Sequence, residues 1–159
     1  LRSSYMVNHA GGISVMTFVV AVAVSMGYYQ FVYIPQANAK PTLPEEVLNP
    51  PEVTEVSIAE GSSLESNGQF FVPKDARGTI GISSKVVWTN TDVTGHTVTT
   101  DDGYVDLING EFNSVEQLGA ILMPGETFEF TFTQVGQYPY HCEPHPWMQA
   151  SIEIVESFA

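Results

Sequence analysis

A chain of 159 residues can bury one sizeable core, which favours a single globular domain over two. It carries 18 acidic and 5 basic residues, for a formal net charge of −13, and such a negative field argues against nucleic acid as a partner. The acidic surface favours either docking of basic partners or solubility in a salty medium. The single cysteine, Cys142, excludes an internal disulfide and leaves metal binding, catalysis or core packing as its role.

The first predicted element is an apolar helix within residues 1–34. No charged residue occurs from Gly11 to Ile34, and this stretch would span roughly 36 Å as a helix, enough to cross a bilayer. The motif Ala37-Asn38-Ala39 is typical of a signal peptidase site, so a cleaved secretion signal is the alternative. Four aromatic residues within 28–33 resemble an interfacial belt and favour a retained transmembrane helix at about 11–34. We therefore expect a single-pass protein of the cell membrane with an extracytoplasmic head.

Residues 35–52 are predicted to be a linker. Five of them are proline, a composition that favours an extended, semi-rigid spacer reaching about 50 Å. Such a spacer would let a soluble head move over the membrane surface.

Residues 53–159 are predicted to be an all-β head domain. Short alternating runs separated by turn residues read as strands: VTEVSIA, QFFVP, TIGISSKVVWTN, HTVTT, AILM, TFEFTFT, QYPYHC and ASIEIVE. In TFEFTFT the period of two places Phe128, Phe130 and Phe132 on one face, which we expect to be core. Seven or eight such strands predict an antiparallel Greek-key β-sandwich. Residues 101–119 are predicted to be a long loop, with or without a short helix.

The run YPYHCEPHPWM carries the most specific chemical signal. Cys142, His145 and Met148 follow one another at the spacing C-x2-H-x2-M, which a tight loop can direct toward one point. His96, at the start of HTVTT, is the fourth candidate ligand. One thiolate, two imidazoles and a thioether are the ligand set of a type 1 copper site. Zinc is a weaker candidate because methionine disfavours it, and simple core packing of these side chains is the remaining alternative.

With these motifs, residues 53–155 resemble a cupredoxin of the plastocyanin, halocyanin and amicyanin group. The segment CEPHPWM is similar to the short amicyanin ligand loop, WTNTDVTGHTVT to the segment with the first histidine, and MPGETFEF to the strand before the cysteine strand. Membrane-tethered archaeal members of the group have a similar layout. The resemblance implies one copper per chain, with His96, Cys142 and His145 as equatorial ligands and Met148 as the axial ligand.

One position departs from the plastocyanin pattern. Asparagine often follows the first histidine in these relatives and helps to brace the two ligand loops, but here the residue is Thr97. Its hydroxyl is expected to replace part of that brace, and its backbone N–H is expected to bond to the Cys142 thiolate. Pro144 lacks an N–H, so the thiolate should accept fewer backbone hydrogen bonds than it otherwise could.

The resemblance implies a membrane-anchored, one-electron carrier between redox proteins, such as respiratory or photosynthetic complexes. His145 would be the electron port, surrounded by an apolar docking surface. The alternative is a copper enzyme acting on nitrogen oxides, because His141 directly before Cys142 resembles the second-copper histidine of nitrite reductases. Asp101 stands where those enzymes have another such histidine, which favours a single copper and an exposed His141.

Overall fold

The computed structural model describes residues 9–38 and 43–157. The chain divides into two units, Leu1–Lys40 and Pro41–Ala159, and the division falls inside the predicted linker. Residues 39–42, which include the end of the predicted signal peptidase motif, lie outside the described residues. The predicted partition into anchor, linker and head remains a prediction.

The described part of the first unit is one run of helix, from His9 to Ala37. Helix α1, His9–Tyr28, passes through a wider π-helical turn, Tyr29–Tyr33, into α2, Ile34–Ala37. The 23-residue stretch Val15–Ala37 is long and apolar enough to cross a membrane, and its side chains are exposed. The helix therefore continues past Pro35, at the start of α2, where the sequence predicted an extended linker to begin. A proline is tolerated in the first turn of a helix, where its missing N–H leaves no bond unmade.

A second helical turn lies in the predicted linker. Helix α3, Glu45–Leu48, follows directly after Pro44, and Asn49 Nδ2 donates a hydrogen bond of 2.6 Å to Glu45 Oε1. Two glutamates in its first turn favour the helix because they face its positive end. The expectation of a uniformly extended spacer is therefore wrong for residues 45–48.

Within the described residues, the head after α3 contains ten strands, one short α-helix and a 3-10 turn at Glu65–Asn67. Their bounds are β1 Val53–Ile58, β2 Phe71–Val72, β3 Asp75–Thr79, β4 Lys85–Asn90, β5 Thr99–Thr100, β6 Val105–Asp106, β7 Gly110–Glu111, α4 Ser114–Leu118, β8 Thr127–Thr131, β9 Gly136–Cys142 and β10 His145–Val155. The loop predicted at residues 101–119 thus contains the hairpin β6–β7 and the helix α4.

Two four-stranded sheets form the head, in the orders β2-β1-β4-β8 and β3-β10-β9-β5. The predicted all-β head with an apolar N-terminal helix is confirmed. Each sheet also contains one parallel pair, β1 with β4 and β3 with β10, which the strand pattern had not indicated.

Aromatic rings fill much of the core. Phe128, Phe130 and Phe132 are all buried, as their period of two predicted. The Trp88 ring lies 5.4 to 5.6 Å, between centroids, from the rings of Phe112, Phe128 and Tyr140. Aromatic pairs at such distances add about 0.5–1.5 kcal/mol beyond their burial. Because Tyr140 lies two residues before Cys142 on β9, this packed core supports the end of the strand that bears the cysteine.

Candidate metal centre

The thiol and one imidazole meet where β9 turns into β10. Cys142 is the last residue of β9 and pairs with His145, the first residue of β10, across a two-residue turn. Cys142 Sγ and His145 Nδ1 are 3.5 Å apart. The next pair is His141 with Gln149, so residues 146–148 bulge out of the register. Bulges re-aim side chains next to functional sites, and this one contains Met148.

Met148, the predicted axial ligand, is fully buried within the core of the head. A thioether is apolar enough to be buried without a hydrogen-bond partner. The role of Met148 as the axial ligand remains a prediction.

His96 is brought to the centre by a separate segment. A pair of backbone hydrogen bonds of 3.0 and 2.9 Å joins His96 to Leu122 and fixes the loop before β5. The His96 side chain is fully buried, and its Nδ1 atom lies 3.6 Å from Cys142 Sγ. The ligand atoms of His96, Cys142 and His145 all lie within 4.8 Å of one another. The fold therefore joins the two motifs that the sequence indicated separately.

Thr97 contacts both ligand-bearing loops. Its backbone N–H donates to Cys142 Sγ at 3.3 Å, which confirms the predicted hydrogen bond, and its hydroxyl lies 3.9 Å from the same sulfur. The Thr97 hydroxyl also accepts a hydrogen bond of 2.8 Å from the Glu143 N–H. Threonine thus makes the predicted brace at a position where asparagine is often found in relatives.

Burial shifts the pKa values of Cys142 and His145 in the directions that favour their neutral forms. Burial raises the pKa of the Cys142 thiol, although hydrogen bonds from Thr97 oppose the rise. Burial, with the adjacent His96 ring, lowers the pKa of His145. A metal bound at Cys142 would therefore have to displace the thiol proton, while the lone pair of His145 would already be available to it.

Asp92 is a part of the centre that sequence reasoning missed. Its side chain is fully buried, and its Oδ2 atom lies 2.8 Å from His96 Nε2, on the opposite side of the ring from the thiol. Burial alone would raise the pKa of Asp92, but hydrogen bonds, led by that from Gly61, hold it well below its usual range. In the sequence, Asp92 belongs to the turn-forming run NTD shortly before His96. Such runs are common in surface loops, so this one did not indicate a buried carboxylate.

His141 lies apart from this cluster. Its side chain is 32% exposed, so it lies at the surface but less openly than predicted, and its Nδ1 atom is hydrogen-bonded to Asp101 Oδ1. Within the part of the chain that the structure describes, His96, Cys142 and His145 are the group of three ionisable side chains close enough to share a metal. The expectation of one metal site agrees with this arrangement.

Residues 59–155 match the family model of copper binding proteins of the plastocyanin/azurin family. The chain belongs to this family. Copper is therefore the metal that the cluster of two imidazoles and one thiol is suited to hold, and the predicted cofactor is confirmed.

Two amicyanins illustrate the relationship of the chain to characterised family members. That of Paracoccus versutus is 36% identical over 80 residues, which cover 49% of this chain and 53% of the relative. That of Paracoccus denitrificans is 25% identical over 75 residues, which cover 47% and 52%. The chain thus spans about half the length of the curated relatives that it matches.

Two solved structures show a similar fold. A purple cupredoxin from Nitrosopumilus maritimus is 25% identical with a TM-score of 0.50, covering 64% of this chain and 98% of that protein. A copper-containing nitrite reductase from Thermus scotoductus is 21% identical with a TM-score of 0.50, covering 76% of this chain and 28% of the reductase. The reductase comparison shows a likeness of fold alone.

Proposed function

We propose that this protein is a one-electron carrier whose single copper is held by His96, Cys142, His145 and Met148. The buried convergence of one thiol and two imidazole Nδ1 atoms carries this proposal. Thiolate and thioether suit Cu(I) and imidazole suits both oxidation states, so a bound copper would gain and lose one electron there. The ligand loops are braced by Thr97 and by the His96–Leu122 backbone pair, which limits rearrangement of the ligands between the two states.

His145 is the proposed port for electrons. Of the three clustered side chains, His96 and Cys142 are fully buried, whereas His145 is partly exposed. Exposed apolar residues lie on the loops nearby: Val93 is 76% exposed, Met123 50% and Ile121 42%. Ile121 and Met123 lie against Gly95, next to His96. A small apolar surface of this kind suits a partner that must bind briefly and then leave.

The proposed partners are redox proteins at a membrane, to which the apolar helix Val15–Ala37 would anchor the head on the extracytoplasmic side. The full chain should then be found in the membrane fraction and remain there after a high-salt or carbonate wash. Native protein whose N-terminal sequence begins near Lys40 would contradict the anchor and favour a cleaved signal.

The absorption and EPR spectra of copper-loaded full-length protein test the proposed site. We expect intense thiolate-to-copper charge transfer in the visible range, and its loss in Cys142→Ser. The far-ultraviolet circular dichroism should be retained in that variant, because the β-sandwich has its own aromatic core. Intense charge transfer that survives in Cys142→Ser would contradict the ligand assignment.

Copper analysis of the same sample separates the carrier from a two-copper enzyme. One tightly bound copper per chain is expected, because His141 is paired with Asp101 and lies outside the cluster. Two coppers per chain, with the second lost in His141→Ala together with turnover of nitrite, would show that the carrier proposal is wrong.

A further inference from the structure

The buried carboxylate of Asp92 is surrounded by hydrogen-bond donors. Oδ1 accepts from the backbone N–H groups of Gly61 at 2.9 Å and Val93 at 2.8 Å. Oδ2 accepts from the Ser63 N–H at 3.3 Å and the Thr94 hydroxyl at 2.9 Å, and it contacts His96 Nε2 at 2.8 Å. Both Asp92 and His96 have fully buried side chains. Apart from His96 Nε2, the four groups that contact the carboxylate are all hydrogen-bond donors. The Asp92 side chain is therefore fixed as a hydrogen-bond acceptor.

We propose that Asp92 is a positioning residue of the metal centre, which fixes the tautomer of His96 and lowers the reduction potential of the bound copper. The inference rests on the proposed function, because it requires copper between His96 and Cys142. Asp92 itself is directed away from the thiol, so it acts through the imidazole and not as a ligand.

The first step of the argument concerns the tautomer. A carboxylate can only accept hydrogen bonds, so His96 Nε2 must carry the hydrogen. The lone pair then lies on Nδ1, the atom that faces Cys142 Sγ at 3.6 Å. A metal-binding imidazole typically donates its second N–H to a carboxylate or carbonyl in this way, which orients the ring and raises its basicity.

The second step concerns charge. A carboxylate beyond the imidazole adds a negative charge in an interior where electrostatic interactions are little screened. That charge, and the more basic imidazole, favour Cu(II) over Cu(I). The reduction potential should therefore be lower with Asp92 than with a neutral residue of the same shape.

The third step concerns rigidity. The turn Gly61–Ser63 donates two N–H groups to Asp92, and Ser62 O in the same turn accepts a hydrogen bond of 3.1 Å from Trp147 Nε1. Trp147 lies between His145 and Met148 in the ligand bulge. The turn therefore holds Asp92 on one side and the C-terminal ligand loop on the other, so the carboxylate cannot simply move away from His96.

The experiment compares Asp92→Asn with Asp106→Asn in copper-loaded full-length protein. Asp106 is a matched control because it is also a buried carboxylate with several donors, but those donors belong to Tyr104, the turn of the β6–β7 hairpin and Thr133. We expect Asp92→Asn to lower Cu(II) affinity by about 10- to 100-fold, with a smaller loss of Cu(I) affinity. Each tenfold difference between the two losses raises the potential by about 59 mV. Asp106→Asn should leave the potential unchanged.

An unchanged potential in a folded Asp92→Asn protein, or an equal rise in Asp106→Asn, would overturn the proposal. If Asp92→Asn does not fold, nitrogen-15 NMR of the histidines in the full-length wild-type protein without copper decides instead, because copper on Nδ1 would itself force the Nε2–H tautomer. A fixed Nε2–H tautomer of His96 is expected, and an Nδ1–H or exchanging tautomer would refute the role of Asp92. Wild-type protein without thiolate-to-copper charge transfer would instead contradict the proposed function itself.

Discussion

Thr97 joins the two halves of the metal centre through two different atoms. Its backbone N–H contacts the thiol, and its hydroxyl accepts from Glu143 in the turn between Cys142 and His145. A hydrogen bond to a thiolate withdraws electron density from the sulfur and so favours Cu(I). Asp92 acts in the opposite direction through His96. We therefore expect the reduction potential of the bound copper to reflect two opposing hydrogen bonds. The bond from Thr97 to the Cys142 sulfur raises the potential, and the bond between Asp92 and His96 lowers it.

The proposed role of Met148 as the axial ligand can be tested by substitution. We expect Met148→Leu to keep copper and raise the reduction potential, because loss of a weak axial donor favours Cu(I). The two side chains have similar volumes, so the free energy of unfolding should change by less than about 1.5 kcal/mol. Met123→Leu is the matched control, since Met123 is half exposed and outside the cluster. Cyclic voltammetry of both variants checks the result, and equal potentials would show that Met148 does not coordinate.

The hairpin β6–β7 depends on one buried carboxylate. Asp106 accepts hydrogen bonds from the backbone N–H groups of Ile108 and Asn109 inside the hairpin, and from the N–H and hydroxyl of Thr133 after β8. The Tyr104 hydroxyl adds a further bond of 2.9 Å. Burial alone would raise the pKa of Asp106, but these donors lower it below its usual value.

The substitution Asp106→Asn tests how much this buried carboxylate contributes to the stability of the protein. A carboxylate whose pKa is lowered by folding stabilises the protein above its unfolded pKa of about 3.9, and this contribution is lost as the pH falls through the folded value. We expect the substitution to cost about 2 kcal/mol at pH 7, typical of hydrogen bonds to a charged group, and less at about pH 3, which lies below the unfolded pKa. Thermal unfolding at both pH values, with the exposed Glu55→Gln as control, measures this difference. A cost independent of pH would contradict it.

Alternation and ligand spacing made much of the head predictable, because both are local patterns. The period of two predicted the buried face of β8, and the spacing C-x2-H-x2-M predicted that Cys142 and His145 lie close together. Strand β3 could not, since only Ala76 and Gly78 are buried on it and the rest of the strand is polar. Gly78 is required by a close approach, because a Cβ there would lie 2.6 Å from Ser83 O. Asp92 escaped prediction because its contacts with Gly61 and Ser63 come from a turn about thirty residues away.

The net charge of −13 should control the rate at which the protein associates with charged reactants. Oxidation of the Cu(I) protein by a cationic cobalt(III) complex should slow as salt rises, while oxidation by ferricyanide should accelerate. The reason is that the Debye length falls from about 30 Å at 0.01 M to about 3 Å at 1 M. Stopped-flow rates over this range check the prediction. Rates independent of salt for both reagents would leave the acidic surface a role in solubility alone.

The uneven spacing of the proposed ligands along the chain has a consequence for folding. Cys142, His145 and Met148 lie within seven residues, whereas His96 is 46 positions before the cysteine and reaches it only through its pairing with Leu122. We therefore expect a denatured chain to keep a three-donor site for Cu(I), and a denatured chain that fails to bind Cu(I) would disprove this. Because the unfolded state also binds the metal, copper stabilises the native state by less than its full binding free energy.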